Sequence, residues 1–124
     1  MRHFSFSIGD IIYYVEGEDA AYRIKKTRIV GSCKRPGSFR IGSAPVFEYL
    51  VYRTEDGRLV SETELHSRKD EMRPSTVFHS KDEAISYIID CLLKQIDREK
   101  QIIINAQERL DRAERVLKVY RKYE

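Results

Sequence analysis

The spacing of apolar residues changes along the chain near residue 75. Before this point, apolar and polar residues alternate in short runs, which is typical of half-buried β-strands. After it, apolar residues recur every three or four positions, as on one face of a helix. All six glycines lie between Gly9 and Gly57, and the last proline is Pro74. The sequence therefore predicts an α+β protein with a β domain, residues 1–79, and a helical segment, residues 80–124.

The first region contains several short runs with strand character and clear turn signals between them. The predicted strands are Phe4–Ile8, Ile11–Val15, Tyr22–Val30, Val46–Arg53, Arg58–Leu65 and Thr76–Phe78. The Gly-, Ser- and Pro-rich stretch from Gly31 to Pro45 is predicted to be a long loop, and Glu55-Asp56-Gly57 a hairpin turn. Five or six short strands in about 75 residues favour a small, meandering, SH3-like antiparallel barrel.

The helical region begins with a capping signal and continues as a heptad repeat. Ser80 is placed as the N-cap and Glu83 three residues later, which forms a capping box. Two neighbouring seams then run along the helix, with Ile88, Ile102 and Val116 beside them. One seam carries Ile89, Ile96, Ile103, Leu110 and Leu117; the other carries Ile85, Leu92, Glu99, Ala106, Ala113 and Tyr120. This pattern is typical of a coiled coil.

The length of this segment leaves two arrangements open. A continuous helix from Lys81 to Tyr123 would span about 65 Å, which exceeds the width of a small barrel. The helix either remains straight or folds back as a pair at the polar run Asp97–Gln101, and the good helix formers in that run favour the continuous form. In both arrangements the apolar stripe needs more partner surface than one barrel supplies, so we expect a homo-oligomer.

Composition and charge limit the possible classes of function. The chain has 124 residues and a net charge of +3, so it is a small, mildly basic protein. It has no run of 18 apolar residues and no apolar signal core at its start, so we expect a cytoplasmic protein without a membrane partner. Cys33 and Cys91 lack metal spacing and are interpreted as free thiols in a reducing compartment.

Conventional catalytic motifs are absent from the sequence. There is no His-Glu-x-x-His motif, Cys-x-x-Cys pair, nucleophile elbow or Walker phosphate loop. Glu62, Glu64 and His66 would share one face of a strand at metal-ligand spacing, but a solvated strand face is the simpler interpretation. The sequence thus predicts a non-enzymatic protein with no cofactor and no metal.

The candidate site is an acid-free basic segment between Ala20 and Val46. It contains Arg23, Lys25, Lys26, Arg28, Lys34, Arg35 and Arg40. Backbone N–H groups and hydroxyls of a Gly/Ser loop are good anion donors, arginine binds phosphate with two hydrogen bonds, and Phe39 offers a surface for stacking a base. The predicted ligand-binding residues are Arg23, Arg28, Lys34, Arg35, Phe39 and Arg40. The alternative is an extended hairpin whose cations only keep it solvated.

Arg109 completes the predicted site from the helical segment. Charges of alternating sign near the end of the helix are typical of an exposed, salt-bridged face. Arg109 differs because it occupies the flanking position equivalent to Ile102 and Val116. A charged residue there would face a partner chain or a ligand held at an interface.

Two resemblances suggest a biological setting. Phe6-x-x-Gly9-Asp10-x-x-Tyr13, together with the Asp-Gly hairpin and Val77-Phe-x-Ser-Lys-Asp-Glu-Ala84, resembles SH3-like or KOW-like barrels of phage and prophage proteins, in which the barrel leads into a helix. In size, layout and charge the chain is also similar to phage Thoeris anti-defence proteins. Those proteins are sponges that sequester cyclic ADP-ribose-type signals between protomers. This second resemblance implies a phage protein in the host cytosol.

Three functions follow as hypotheses. The first is a non-enzymatic, oligomeric protein that sequesters a small phosphorylated nucleotide-like ligand. The second is an SH3-like adaptor or inhibitor from a phage or mobile element that binds nucleic acid or a host protein. The third is an assembly protein whose main feature is the coiled coil. A recessed basic loop would favour the small ligand, and a flat, exposed basic strand would favour nucleic acid.

Overall fold

The computed structural model describes residues 5–123, and the chain divides into two compact units, one ending at Ile88 and one beginning at Ile89. The described residues form eight strands, a short 3-10 helix and one α-helix. In chain order they are β1 (Ile11–Glu16), β2 (Arg23–Pro36), β3 (Arg40–Ile41), β4 (Ala44–Pro45), β5 (Glu48–Thr54), β6 (Leu59–Ser61), β7 (Glu71–Met72), the 3-10 helix (Pro74–Thr76), β8 (Val77–Phe78) and α1 (Lys81–Arg121).

Six of these strands form a nearly closed barrel in the order β7-β6-β5-β2-β1-β8, and β3 and β4 form a separate hairpin. The predicted α+β class, a small barrel followed by a long helix, is confirmed. The barrel departs from the purely antiparallel prediction in one place. β6 and β7 pair in parallel, with Leu59 opposite Glu71 and Val60 opposite Met72, so the sheet is mixed.

The barrel core follows from strict alternation in β1 and β2. Ile12 and Tyr14 are buried on β1, and Thr27 and Ile29 are buried on β2, while the residues between them face outward. Phe6, Val60 and Val77 complete the apolar cluster. Burying side chains of this size contributes about 1.5–3 kcal/mol each, so this cluster is the main stabilising element of the barrel.

The predicted strand Phe4–Ile8 is wrong for the described residues 5–8, and Phe4 lies outside the described residues. A turn replaces the strand, because the N–H of Ser7 donates to Asp10 Oδ2 at 2.9 Å and Gly9 adopts a φ of +98°. The N–H of Gly9 also donates to the carbonyl oxygen of Ile29 at 2.7 Å, which anchors the turn beside β2. The ring of Phe6 nevertheless enters the core.

Two further strand boundaries differ from prediction. The region from Gly31 to Pro36 is not loop, because β2 continues through it and pairs with β5 as far as Pro36 opposite Glu48. A register shift between Ile29 and Gly31 marks a β-bulge in the middle of β2. In contrast, β6 ends early at Ser61, whose hydroxyl bonds locally to the backbone of Thr63 and competes with the strand ladder.

The helix α1 is continuous over 41 residues. Its start confirms the predicted N-cap, because the backbone N–H of Glu83 donates to Ser80 Oγ at 3.2 Å. The run Asp97–Gln101 does not interrupt the helix, as expected for good helix formers. Of the residues in this helix, only Ala84 is buried. The described part of the chain contains no helix that is long and apolar enough to cross a membrane.

Candidate functional site

The basic segment lies mainly on β2, a strand paired with β1 and β5, and not in a recessed loop. Lys26 and Arg28 are exposed, and they alternate with the buried Thr27 and Ile29. Both cations therefore point away from the core. Val30, at the bulge, is 46% exposed and continues the same row.

The neighbouring strand places apolar side chains directly opposite these cations. Tyr13 of β1 pairs with Lys26, and Ile11 pairs with Arg28. Directly opposed side chains in an antiparallel pair have Cβ atoms about 4.5–5.5 Å apart, so they form one continuous surface. We call the surface formed by Ile11, Tyr13, Lys26, Arg28 and Val30 the β1–β2 strip. It combines two cations, an aromatic ring and aliphatic surface on an accessible face.

Sequence reasoning found Arg28 but missed the contribution of β1 to this surface. No sequence signal gave this face, because Ile11–Val15 is apolar or aromatic throughout and only the fold buries Ile12 and Tyr14. Strand geometry predicts that Ile11 and Tyr13 share one face, without saying which face is outer. It does not give the register that sets them against Lys26 and Arg28, which depends on the turn between the strands.

Arg23 and Lys34 lie at the two ends of β2. Arg23 is exposed and pairs in register with Glu16 of β1. Glu16 forms an ion pair with Arg58, with 3.4 Å between Glu16 Oε1 and Arg58 Nη1. Lys34 is exposed and lies opposite Leu50 of β5. Both predicted residues are thus accessible cations on the basic strand.

Arg35 has a different environment from the other predicted residues. Its Nη1 donates to Glu71 Oε2 at 2.6 Å and contacts both carboxylate oxygens of Asp70 at 3.1–3.2 Å. The side chain of Glu71 is fully buried, and Tyr49 OH also donates to it, at 3.0 and 3.1 Å. Burial alone would lower the pKa of Arg35, but the hydrogen bonds and charges of Asp70 and Glu71 raise it.

The arrangement around Glu71 indicates a structural role for Arg35. A buried carboxylate needs a compensating charge and filled hydrogen-bond positions. Arg35 provides the charge, while Tyr49 and the backbone N–H of Arg68 provide further hydrogen bonds. Burial, and then the hydrogen bond to Glu71, raise the pKa of Tyr49. Sequence reasoning missed this cluster because Asp70 and Glu71 lie 35 or more positions from Arg35.

Phe39 and Arg40 belong to the β3–β4 hairpin, apart from the barrel sheet. The ring of Phe39 is 64% exposed. Arg40 pairs with Pro45, and its Nη1 donates to the carbonyl oxygen of Ser43 at 3.0 Å. Both side chains are accessible and could reach a ligand. Their contact with an anionic ligand stays a prediction.

Arg109 lies on the part of α1 that forms the second unit. It lines a shallow groove on the helix surface with Arg112, Ala113, Val116, Leu117 and Tyr120. Six of the seven predicted residues therefore lie on β2 and the β3–β4 hairpin, and the seventh lies in the other unit. Whether all seven act on a single ligand stays a prediction.

The possible metal ligands Glu62, Glu64 and His66 and the two cysteines have other surroundings in the structure. Glu62, Glu64 and His66 do not lie on a strand, since β6 ends at Ser61. Glu62 Oε1 accepts a hydrogen bond from the backbone N–H of Leu50 at 2.7 Å. The His66 ring packs on Phe47, with 4.2 Å between the two ring centroids. No group of three His, Cys, Asp or Glu residues within residues 5–123 could hold a metal ion. Cys33 and Cys91 are free thiols.

The fold and the surface define the class of protein: an α+β chain with a six-stranded, mixed, nearly closed barrel, a central strand whose outer face is basic, and one long helix. Comparison of the chain with protein-family models, with curated proteins and with solved structures finds no significant match.

Proposed function

We propose that this protein is a non-enzymatic nucleic-acid-binding protein whose barrel binds a phosphate backbone along the β1–β2 strip. The observation that supports this most directly is the outward placement of Lys26 and Arg28 on β2, directly opposite Ile11 and Tyr13. A row of exposed cations can follow a series of phosphates, whereas a small nucleotide is usually held in a recess.

The chemistry of the strip suits single-stranded nucleic acid. Lysine and arginine neutralise phosphates and release condensed counterions, which supplies most of the affinity of non-specific binding. An aromatic ring beside those cations provides a stacking surface for a base, worth about 1–3 kcal/mol per base. Tyr13 is partly exposed and faces Lys26 across the two strands, so both contacts would come from one patch.

The structure also weakens one argument for a small-nucleotide sponge. Arg35 was expected to bind phosphate, yet it neutralises Asp70 and Glu71 within the barrel. Phe39 and Arg40 remain accessible on their hairpin, and the sponge hypothesis still has these two residues and the other predicted cations, Arg23, Arg28, Lys34 and Arg109. That hypothesis, like the phage origin suggested by resemblance, stays a prediction.

The test is fluorescence anisotropy with labelled 20-mer single-stranded DNA, double-stranded DNA and RNA over a range of salt concentrations. The wild type should bind single strands most tightly, with a steep decrease in affinity as salt rises. The double variant Lys26→Ala/Arg28→Ala should flatten the plot of log K against log salt by about 1.4, because each phosphate contact contributes about 0.7. Tyr13→Leu should weaken binding by about tenfold with little change in this slope.

The matched control is Lys69→Ala/Arg73→Ala, which removes the same charge from exposed positions outside β2. It should reduce affinity less than the strip variant. Equal losses in the two double variants would show a general effect of net charge and refute the proposed site. A parallel calorimetric titration with cyclic ADP-ribose-type signals and cyclic oligonucleotides separates the hypotheses. Tight, salt-insensitive binding there, without polymer binding, would refute the nucleic-acid proposal in favour of the sponge.

A further inference from the structure

The apolar stripe of α1 is exposed along the second unit. Ile89, Ile103 and Leu117 are 50%, 66% and 49% exposed, although they belong to an uninterrupted heptad seam. In heptad notation this seam occupies the a positions: Ile89, Ile96, Ile103, Leu110 and Leu117. The d positions are occupied by Leu92, Glu99, Ala106, Ala113 and Tyr120. Repeated a and d residues of this kind pack against another helix.

The sizes of these residues distinguish the two possible orientations of a helix pair. Every a residue is Ile or Leu, whereas the d residues from 99 to 113 are glutamate or alanine. In a parallel, in-register pair, a faces a and d faces d. That orientation would place Glu99 against Glu99 and leave two layers of alanine facing alanine. In an antiparallel pair a faces d, so each large residue can face a small one.

One antiparallel register places both alanines of the d seam opposite isoleucine. It is defined by Ile103 facing Ala106 of the second copy, and the remaining layers follow from the twofold symmetry. In those layers Ile96 faces Ala113, Ile89 faces Tyr120, Leu92 faces Leu117, and Glu99 faces Leu110. The two layers that contain alanine each join a large side chain to a small one, which allows close packing, whereas the other three layers join two large side chains. This register also uses the whole exposed stripe from Ile89 to Tyr120.

The same register provides a partner for Glu99. Arg109 occupies a g position, and g residues lie on the same flank of a helix as d residues. Antiparallel pairing brings this flank of one helix against the same flank of the other. In the register defined above, the offset along the helix axis between Glu99 and Arg109 of the second copy is about 1.5 Å, which is the rise of one residue. A shift of one heptad in either direction would replace Arg109 by Ile102 or Val116.

The parallel alternative has one favourable feature that does not outweigh these costs. It would place Arg109 at g opposite Glu114 at e of the partner, an exposed pair at the rim of the interface. Exposed ion pairs of this kind contribute little, whereas like charges facing each other within a seam repel in a low-dielectric environment. Charge and side-chain volume therefore both favour the antiparallel orientation.

We infer that α1 binds α1 of a second copy of this chain in antiparallel orientation, with Ile103 facing Ala106 and Glu99 paired with Arg109. This inference is independent of the proposed nucleic-acid binding, because it uses only residues of the helix. It assigns Arg109 to the contact between copies rather than to a ligand. The midpoint of the pair lies between Ile104 and Asn105.

The orientation can be measured by double electron–electron resonance in a Cys33→Ser/Cys91→Ser background. A spin label on Lys118→Cys should give a separation of about 40 Å, because the two sites lie about 13 residues on either side of the midpoint. A label on Asn105→Cys should give a short distance and serves as the positional control. A separation below about 25 Å for Lys118→Cys would overturn the antiparallel orientation, since parallel helices lie only about 8–10 Å apart.

The charge pair is tested by sedimentation equilibrium of charge-reversal variants. Glu99→Arg and Arg109→Glu should each weaken self-association by about tenfold or more, because two like-charged contacts form in every pair. The combined swap should restore most of the lost affinity. Failure of the swap to restore association would refute the register, even if the helix still pairs.

The seam itself has a matched pair of variants. Ile96→Asp/Ile103→Asp places charges in the interface and should give a monomer, because an unpaired buried charge is costly. Ile104→Asp changes a residue of the same type that is 50% exposed, against 48% for Ile96, but lies at a b position outside the seam. It should sediment like the wild type. A wild type that is monomeric at all concentrations tested, or a seam variant that sediments unchanged, would overturn the inference.

Discussion

Replacing Arg35 by alanine tests whether this residue stabilises the barrel or binds a ligand. The substitution removes the cation that contacts Glu71 Oε2 at 2.6 Å, while the carboxylate of Glu71 remains fully buried. Tyr49 and the backbone N–H of Arg68 would still donate to this carboxylate, but neither carries a charge. The expected consequence is a loss of folding stability rather than a selective loss of binding.

The magnitude follows from the burial of the pair. Breaking a buried ion pair by removing one partner costs about 3–5 kcal/mol, because the remaining charge is left uncompensated. The side chain of Arg35 is 24% exposed, and the second carboxylate, that of Asp70, is 56% exposed. Water therefore reaches part of the cluster, and we expect a loss near the lower limit, about 3 kcal/mol. This corresponds to a decrease of about 1–3 M in the urea midpoint.

The assay is urea unfolding followed by near-UV circular dichroism of tyrosine. The chain has no tryptophan, and Tyr14 and Tyr49 are buried in the barrel, so the signal reports on that unit. Lys34→Ala is the matched control, because it removes the neighbouring but exposed cation of β2. It should change stability by less than about 0.5 kcal/mol.

A double-mutant cycle identifies the interaction responsible. In a Glu71→Gln background the buried charge is absent, so Arg35→Ala should cost only about 1 kcal/mol, leaving a coupling energy of about 2 kcal/mol. A wild-type urea midpoint in Arg35→Ala would refute the structural role of the residue. Equal costs in the two backgrounds would show that Arg35 does not act through Glu71, which leaves Asp70 and packing as the sources of its effect.

Three further variants probe the polar turn and the close packing of the barrel. Tyr14 OH donates to Asp56, and Tyr14→Phe should cost about 1–2 kcal/mol in urea unfolding because this hydrogen bond is lost; no loss would indicate that the bond is unimportant. Burial alone would raise the pKa of Asp56, but hydrogen bonds from Thr54 and Tyr14 lower it in the folded state. Its contribution to stability is therefore complete above the unfolded pKa of about 3.9 and lost as pH falls below it. Asp56→Asn should flatten the decrease in urea midpoint between pH 5 and pH 3, and an unchanged profile would contradict this assignment. A Cβ on Gly37 would lie 2.1 Å from the ring of Phe47, so Gly37→Ala should destabilise the barrel by about 1–3 kcal/mol. The control Ser38→Ala, at an exposed neighbouring position, should leave stability unchanged. Equal urea midpoints for the two variants would contradict the predicted clash.

The surroundings of Tyr14 in the barrel change the pKa of its hydroxyl. Burial and the hydrogen bond to Asp56 raise the pKa of Tyr14 to about 12. The guanidinium of Arg58 lies 5.6 Å from the centre of the same ring. Tyr14 therefore keeps its proton, and its hydrogen bond to Asp56, above pH 10.0, the ordinary pKa of a tyrosine.

Local patterns were sufficient for the elements whose partners lie nearby in sequence. The Asp56-Gly57 turn and the Ser80 cap depend on contacts spanning only a few residues. The continuous helix follows from propensity and heptad spacing along one segment. These features were predictable because the physical causes of each are contained within its own stretch of sequence.

The remaining features depended on contacts between distant segments. The Gly/Ser composition after Val30 predicted a loop, but β5 supplies a complete set of backbone partners and holds the region to Pro36 as a strand. Arg35 looked like a free phosphate ligand until the fold brought Glu71, 36 positions away, against it. Composition and spacing show which charges are available, but only tertiary structure decides which are neutralised internally and which, like Lys26 and Arg28, remain exposed. The physical reason is that a buried charge is stable only beside a group that compensates it, and that group can lie far away in the sequence, so that only folding brings the two together.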